Sequence, residues 1–217
     1  MKLHIASLLV LCLGLGAAAS AQQLYDNGSI NGTTDAWTIN FGYVVSNNFK
    51  CCKSLDGSGS SPAGATMTGF EFGAWEFPGD VLSSVDWSVT TAENGGTVIG
   101  SGTASGLNLT DQFVSSNQFG YDIDHITVTG LDVALASDTT YWLNLQNATV
   151  PSGDPVYWDE NSGPSSASES SVGTIPSEAF TIDGTSSGGT TPEPGSILLF
   201  GSGILGVAGM VRRKLRR

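Results

Sequence analysis

The chain has 217 residues, of which 40% are hydrophobic and only 13% are charged, whereas an average domain is roughly 25% charged. This composition excludes a coiled coil and a helical bundle rich in Glu and Lys. The net charge is −12. Between residues 22 and 191 the sequence has two basic residues, Lys50 and Lys53, but nineteen of its twenty Asp and Glu residues, the other being Glu193. Because so acidic a surface repels phosphate backbones, no nucleic-acid partner is predicted.

The chain begins with the three parts of a secretory signal peptide. Lys2 is followed by the apolar run Ile5–Leu15 and then by the small residues Ala19, Ser20 and Ala21. The apolar run is too short for a membrane anchor, and no basic stop follows it. We therefore predict that residues 1–21 are a signal peptide, that signal peptidase removes it after Ala21, and that the protein is exported.

Residues 22–184 have almost no helical periodicity and consist of short β-rich runs separated by Gly, Asn, Asp and Ser. In Met67–Phe72 large apolar side chains alternate with smaller or polar residues, as in a strand with one buried face, and Tyr141–Leu145 also follows a period of two. Strands are predicted at Ala36–Phe41, Tyr43–Phe49, Ala65–Phe77, Val85–Thr91, Thr97–Thr103, Phe119–Thr129, Asp132–Ala136, Thr140–Asn147, Pro155–Trp158 and Ala179–Ile182. The predicted fold class is all-β, an antiparallel β-sandwich that is jelly-roll-like, with a single membrane helix near the C-terminus.

Cys51 and Cys52 are adjacent and are the thiols that remain once the signal peptide is removed. In an oxidising compartment such a pair either closes a local ring or cross-links to another chain, and the sequence leaves both alternatives open. A metal site would need more thiol or imidazole ligands, and His125 alone supplies too few. No metal and no cofactor are therefore predicted.

Catalysis by a serine or cysteine nucleophile needs a histidine, and His125 is the single candidate after signal cleavage. His125 alternates with Asp124 along a predicted strand, so their side chains point to opposite faces. A surface histidine and no catalytic residue are predicted. Trp158, Asp159 and Glu160 form a candidate sugar-facing or calcium-binding loop. A solvated acidic loop is the favoured interpretation, because the spacing fits no EF-hand.

The last part of the sequence divides into a tether and a tripartite tail. Residues 185–191 are Gly, Ser and Thr, which predicts a flexible tether. Pro192, Glu193 and Pro194 then precede the apolar stretch Ile197–Val211. As a helix this stretch is about 22 Å long, short of the hydrocarbon core of about 30 Å. The final residues are basic and hold the tail on the cytoplasmic side: Arg212, Arg213, Lys214, Arg216 and Arg217.

Residues 192–217 resemble the PEP-CTERM sorting signal of Gram-negative bacteria. The resemblance implies that Pro192, Glu193 and Pro194 are recognised by exosortase, a membrane enzyme that cuts near the motif. It also implies that helix 197–211 presents the motif and that the basic tail, 212–217, retains it. Some family labels give this tail as an ice-binding protein C-terminal domain, which describes the tail and does not imply ice binding.

We therefore predict a non-enzymatic exported protein with a structural or adhesive role in the cell envelope or extracellular matrix. It would be anchored transiently in the inner membrane and then reach the envelope, the outer surface or the medium. A carbohydrate-binding module, with extracellular polysaccharide as partner, is the alternative, and outward-facing Trp side chains would favour it. A carboxylate-based polysaccharide-active enzyme is a weaker alternative, which two facing carboxylates in a cleft would favour.

Overall fold

The computed structural model describes residues 21–52 and 64–187. The predicted signal peptide up to residue 20, the membrane helix Ile197–Val211, the Pro192–Pro194 motif and the basic tail lie outside the described residues. Within the described part of the chain, no helix is long and apolar enough to cross a membrane.

Strands account for nearly all the regular structure of the described residues, and a short 3-10 turn at Gly106–Asn108 is the exception. The strands are, in chain order, β1 (Gln22–Asp26), β2 (Ala36–Thr38), β3 (Val44–Lys50), β4 (Gly64–Glu76), β5 (Ser84–Ala92), β6 (Gly95–Ser105), β7 (Leu109–Ser116), β8 (Asp122–Ala136), β9 (Thr140–Thr149), β10 (Tyr157–Asn161), β11 (Ala167–Glu169), β12 (Gly173–Ile175), β13 (Ser177–Glu178) and β14 (Phe180–Ser187).

These strands form two antiparallel sheets. In the first sheet β4 is central and pairs with β14, β10 and β8, while β1, β13, β2 and β7 extend it outward. The second sheet has the order β12-β11-β3-β9-β5-β6. Alternate apolar residues of both sheets are buried in one core, among them Phe70 and Phe72 of β4 and Leu143 and Leu145 of β9. The predicted all-β antiparallel sandwich is confirmed, and its jelly-roll connectivity stays a prediction.

Strand β8 is longer than the sequence suggested. Two strands were predicted, one ending at Thr129 and one beginning at Asp132, but β8 runs without interruption from Asp122 to Ala136. Gly130 lies between them with a φ of 77°, and the pairing with β4 shifts register at this point. Because glycine adopts positive φ at little cost, the strand bulges here and does not end.

Strands β1, β7, β11 and β12 have no counterpart in the sequence prediction. Strand β7 matters most, because it pairs along β8 and extends the first sheet by one strand. The C-terminal end of the domain also differs from the prediction. Thr185, Ser186 and Ser187 were predicted to begin the tether, whereas in the structure they continue β14 and pair with β4.

Candidate functional site

Two carboxylates occupy core-facing positions at one end of the first sheet. Strand β4 directs Phe72 into the core, and its alternation continues to Glu76, the last residue of the strand. On β8, Ile126 lies opposite Phe72, and Asp124 is the next residue on the same face. The alternation that buries apolar side chains in mid-sheet therefore buries acids at its end.

A third carboxylate joins them from β7. Asp111 lies opposite Ile126 of β8, which places its side chain on the same face as Asp124. One oxygen each of Glu76, Asp111 and Asp124 lie within 4.8 Å of one another. The backbone N–H of Leu82 donates to Asp111 Oδ2 at 2.6 Å. Three strands and the β4–β5 connection thus meet at one group of carboxylates.

The burial of this group is pronounced. Glu76 is fully buried, Asp124 is nearly so, and Asp111 is half-buried. Within the described residues, both carboxylate oxygens of Glu76 lack a hydrogen-bond partner. The Oδ2 atom of Asp124 lacks one as well. A buried carboxylate without a donor loses its hydration and gains nothing in return. These side chains therefore require a proton or a cation.

The pKa values change in the direction that this burial requires. Burial, followed by the negative charges of Asp111 and Asp124, raises the pKa of Glu76 to about 8. Burial and then the charge of Asp111 raise the pKa of Asp124 to about 7. The pKa of Asp111 is also raised by burial, although the Leu82 N–H opposes this. The three carboxyl groups cannot all ionise together near neutral pH unless positive charge is supplied.

Two more acids flank the group, and both have donors. Asp122 accepts the Ser116 hydroxyl at 2.8 Å and the Gly79 N–H at 3.3 Å. Asp80 accepts a hydroxyl hydrogen bond from Ser152 at 2.7 Å. The ion pairs that the structure records in residues 21–52 and 64–187 lie elsewhere and join Lys50 to Asp138 and His125 to Glu71. None of them neutralises the carboxylate group.

The oxygen ligands of this carboxylate group determine which ions it can bind. Carboxylate oxygens are the ligands that hard cations such as Ca²⁺ and Mg²⁺ prefer, whereas Zn²⁺ and Cu²⁺ favour nitrogen and sulfur. Glu76, Asp111 and Asp124 could therefore hold a hard divalent cation. General acid catalysis on a polysaccharide would need a carboxyl group in contact with the substrate. Glu76 is fully buried and cannot make that contact in this structure.

The predicted loop at Trp158 is replaced by a buried strand. Trp158 lies in β10, is fully buried, and donates from its indole N–H to the carbonyl oxygen of Ala179 at 2.9 Å. Its ring packs edge-on against Phe72 and Phe180 in the core. No face of the Trp158 ring is left for a sugar, because the strand pairing of β10 turns the ring inward.

Asp159 and Glu160 are also structural in this fold. Asp159 is fully buried, and burial raises its pKa although N–H donors act in the opposite direction. Its donors are the backbone N–H of Asn31 (2.8 Å), the backbone N–H of Gly32 (3.0 Å) and the indole N–H of Trp75 (2.7 Å). Glu160 accepts the Trp37 indole N–H at 3.1 Å. The solvated acidic loop expected here is therefore a buried, hydrogen-bonded strand.

Glu178 is a second fully buried carboxyl group, on β13 opposite Glu160. In the part of the chain that the structure describes, both of its carboxylate oxygens lack a hydrogen-bond partner. Burial and then the charge of Glu160 raise the pKa of Glu178 well above its ordinary value. Unlike Glu76, it belongs to no group of three close ligand atoms among the described residues, so a bound proton is the simple account of it.

The remaining predicted site residues are placed as follows. Cys51 and Cys52 are joined to each other in a disulfide and are buried in the core cluster, which is the local ring of the two alternatives. His125 is partly exposed on β8, and its Nε2 lies 2.9 Å from Glu71 Oε2. It faces away from Asp124, as the alternation predicted. The indoles of Trp75, Trp87 and Trp158 are buried and those of Trp37 and Trp142 are half-buried.

The sequence prediction missed the carboxylate group and excluded a metal. One signal was available, since Glu76, Asp122 and Asp124 continue the apolar phase of their strands and are therefore core-facing. Asp111 had no such signal, because β7 was not predicted.

Residues 190–214 match the model of the PEP-CTERM protein-sorting motif. The chain carries a PEP-CTERM sorting signal. The match contains Pro192, Glu193 and Pro194 and confirms the resemblance inferred from the sequence. A protein with this motif is exported and becomes associated with the membrane and cell surface through exosortase. Neither the curated proteins nor the solved structures include a match to the chain.

Proposed function

We propose that this PEP-CTERM protein is a non-enzymatic structural or adhesive component of the cell envelope or extracellular matrix. After export, exosortase would cut close to Pro192, Glu193 and Pro194 and leave the β-sandwich at the surface. The basic residues 212–217 would hold the uncut chain in the membrane until then. A short span rich in glycine is a poor permanent anchor, which favours its later removal. The observation that carries the structural role is one of the two outer edges of the second sheet.

That edge is β6, which spans eleven residues from Gly95 to Ser105. It has no charged residue and no proline, and most of its side chains are exposed, Val98 to 56%. In the described residues β6 pairs with β5 alone. Soluble proteins usually protect such an edge with lysine, proline or a covering loop, because an open edge accepts another strand. Strand β6 has neither lysine nor proline, and its outer side, unpaired among the described strands, supports assembly through strand addition.

One outer strand of the first sheet is also exposed, although unlike β6 it contains a charged residue, Asp111. Strand β7 pairs with β8 alone among the described strands, and it exposes Phe113 to 58% and Val114 to 55%. The 3-10 turn Gly106–Asn108 joins β6 directly to β7. Two exposed edges that are consecutive in the chain can contact a second copy of this protein or another matrix strand.

A non-enzymatic role is supported by the positions of the acidic groups. Glu76 and Asp124 are the carboxyl groups whose raised pKa values, about 8 and about 7, would suit general acid catalysis. Both are buried between the sheets, where a polymer chain cannot reach them. Catalysis on polysaccharide would require the end of the sandwich to open.

Carbohydrate binding remains the second candidate, and a small aromatic cluster favours it. Phe119 is 53% exposed and stacks on Trp75 at 5.8 Å between ring centroids. Phe77 is also exposed and meets Tyr121 at 5.1 Å. Exposed rings fixed by neighbouring rings can stack on sugars. A glycan array with the full chain and Phe119→Ala tests this candidate, and it fails if no glycan binds above the variant.

Sedimentation of the full chain in mild detergent tests the structural role. Val98→Lys places a charge on the β6 edge, whereas Val172→Lys makes the same change at a turn residue that is exposed to 61%. We expect concentration-dependent association of the parent and of Val172→Lys, and at least about tenfold weaker association of Val98→Lys. A monomeric parent at all concentrations, or equal association of both variants, would contradict assembly through β6.

A further inference from the structure

We propose that Glu76, Asp111 and Asp124 bind a calcium ion at the end of the β-sandwich. This site is independent of the sorting signal and of the β6 edge, and its test can fail while both of those stand.

The first observation is the state of Glu76. Its side chain is fully buried, it is aimed into the group so that an oxygen lies within 4.8 Å of oxygens of Asp111 and Asp124, and no donor among the described residues reaches either of its oxygens. Asp159 differs, because it accepts three N–H groups. Glu178 shares the lack of a hydrogen-bond donor, but it belongs to no group of three close ligand atoms among the described residues. Because no hydrogen-bond donor of the described residues reaches the Glu76 carboxylate, its oxygens are left to bind a cation.

The second observation is charge. Asp80 and Asp122 add to the negative potential that Glu76 experiences, and the sequence has two basic residues between positions 22 and 191. Of these, Lys50 forms its ion pair with Asp138. A divalent cation would supply the positive charge that no nearby side chain among the described residues provides.

The third observation is the chemistry of the candidate ligand atoms, which favours calcium. The three ligands are carboxylate oxygens from β4, β7 and β8, and no His or Cys belongs to the group among the described residues. Calcium accepts six to eight oxygens in irregular arrangements and binds carboxylates through one or both oxygens, whereas Mg²⁺ requires near-octahedral geometry and retains several waters. Asp111 is half-buried, so the ion can enter from that side and complete its coordination with water.

Calcium at this position would link parts of the fold that are otherwise joined loosely. Asp111 also accepts the Leu82 N–H, and neighbouring Asp122 accepts the Gly79 N–H. The ion would therefore stabilise the β4–β5 connection and the outer strand β7 as well as β4 and β8. Because calcium would bind the folded chain and not the unfolded chain, it would raise the free energy of unfolding by mass action.

Calorimetric titration and thermal unfolding of the full chain test the site, in mild detergent and calcium-free buffer. We expect saturable binding of about one calcium ion and, at roughly 100 times Kd, a rise in Tm of about 5–10 °C. Glu76→Gln and Asp111→Asn should each weaken calcium binding at least about tenfold. Glu178→Gln is the matched control, because it makes the same substitution at another fully buried carboxyl group outside the site, and it should keep the calcium-dependent rise in Tm.

Three results would overturn the proposal. They are no saturable binding at millimolar calcium, binding that both Glu76→Gln and Asp111→Asn leave unchanged, and an equal rise in Tm from Mg²⁺ alone, which would refute the assignment to calcium. If Glu76→Gln does not fold, Asp111→Asn decides the question, since Asp111 is half-buried and its replacement keeps an acceptor for Leu82.

Discussion

Glu178 lies directly opposite Glu160 on neighbouring antiparallel strands, and both side chains are buried. Glu160 accepts an indole N–H from Trp37, whereas the carboxylate oxygens of Glu178 have no donor in the part of the chain that the structure describes. Like charges placed opposite each other in a sheet are destabilising. The pair is tolerated because Glu178 keeps its proton, since burial and the Glu160 charge hold its pKa well above the ordinary value of 4.5.

This arrangement predicts a pH dependence of stability. The folded-state pKa of Glu178 exceeds its unfolded-state value, so the folded chain binds a proton that the unfolded chain releases above about pH 4.5. The contribution of Glu178 is complete below that pH and is lost as the pH rises towards the folded-state pKa. Glu178→Gln should therefore unfold at a higher temperature than the parent at about pH 8.5 and lose less stability from about pH 5.5 upward.

Circular dichroism melts at several pH values in calcium-free buffer measure the effect. Glu93→Gln, the same substitution at an exposed residue, should behave like the parent. A parent and a Glu178→Gln variant with parallel dependence on pH would show that Glu178 is ionised in the folded state.

Asp159 makes a different prediction, because its carboxylate is the acceptor for three N–H groups from Asn31, Gly32 and Trp75. Asp159→Ala leaves these buried donors without their acceptor, at a cost of about 2–5 kcal/mol in the free energy of unfolding. Denaturant unfolding followed by tryptophan fluorescence measures the loss. Asp26→Ala removes an exposed acceptor of a single N–H, from Gly28, and should cost about 1 kcal/mol or less. Equal losses in the two variants would contradict the structural role of Asp159.

The sequence predicted the architecture because the strand period and the turn residues are local signals. Met67–Phe72 and Tyr141–Leu145 follow that period, and they lie in β4 and β9 as expected. The polar segment Leu109–Ser116 became β7 through its pairing with β8, which is a tertiary effect and has no local signal. The Gly130 bulge concealed the continuity of β8 in the same way.

The candidate site was less predictable for the same reason. Glu76 and Asp124 are separated by 48 positions in the sequence and meet only through the register of β4 with β8. Trp158, Asp159 and Glu160 formed a recognisable acidic cluster with an aromatic residue, yet strand pairing buried them. The sorting signal is contiguous and needs no tertiary structure, so the sequence alone identified it.

The cysteines predict a chemical result. Because Cys51 and Cys52 are joined to each other and buried, the exported protein should migrate as a monomer in non-reducing electrophoresis. It should also resist alkylation until it is both denatured and reduced. Reduction under denaturing conditions is the internal control and should expose two reactive thiols. A disulfide-linked dimer, or rapid alkylation of the native monomer, would show that the pair is not a local ring.

The sorting account makes its strongest prediction at the C-terminus. Glu193→Ala should leave export intact but slow removal of the tail, because it alters the central residue of Pro192–Pro194, which lies within the matched residues 190–214. The matched control is Glu93→Ala, the same substitution at an exposed residue outside the motif, which should be processed at the rate of the parent. Equal processing of both variants would show that Glu193 has no part in recognition.

Intact-mass analysis of the surface-associated protein tests the central claim most directly. In a host with exosortase, the account predicts a mature chain that begins at Gln22, ends close to Pro192–Pro194 and lacks the apolar stretch and basic tail. In the same host without exosortase, the membrane-bound chain should end at Arg217. If the surface form from the first host also ends at Arg217, the tail is a plain membrane anchor and the proposed processing is wrong.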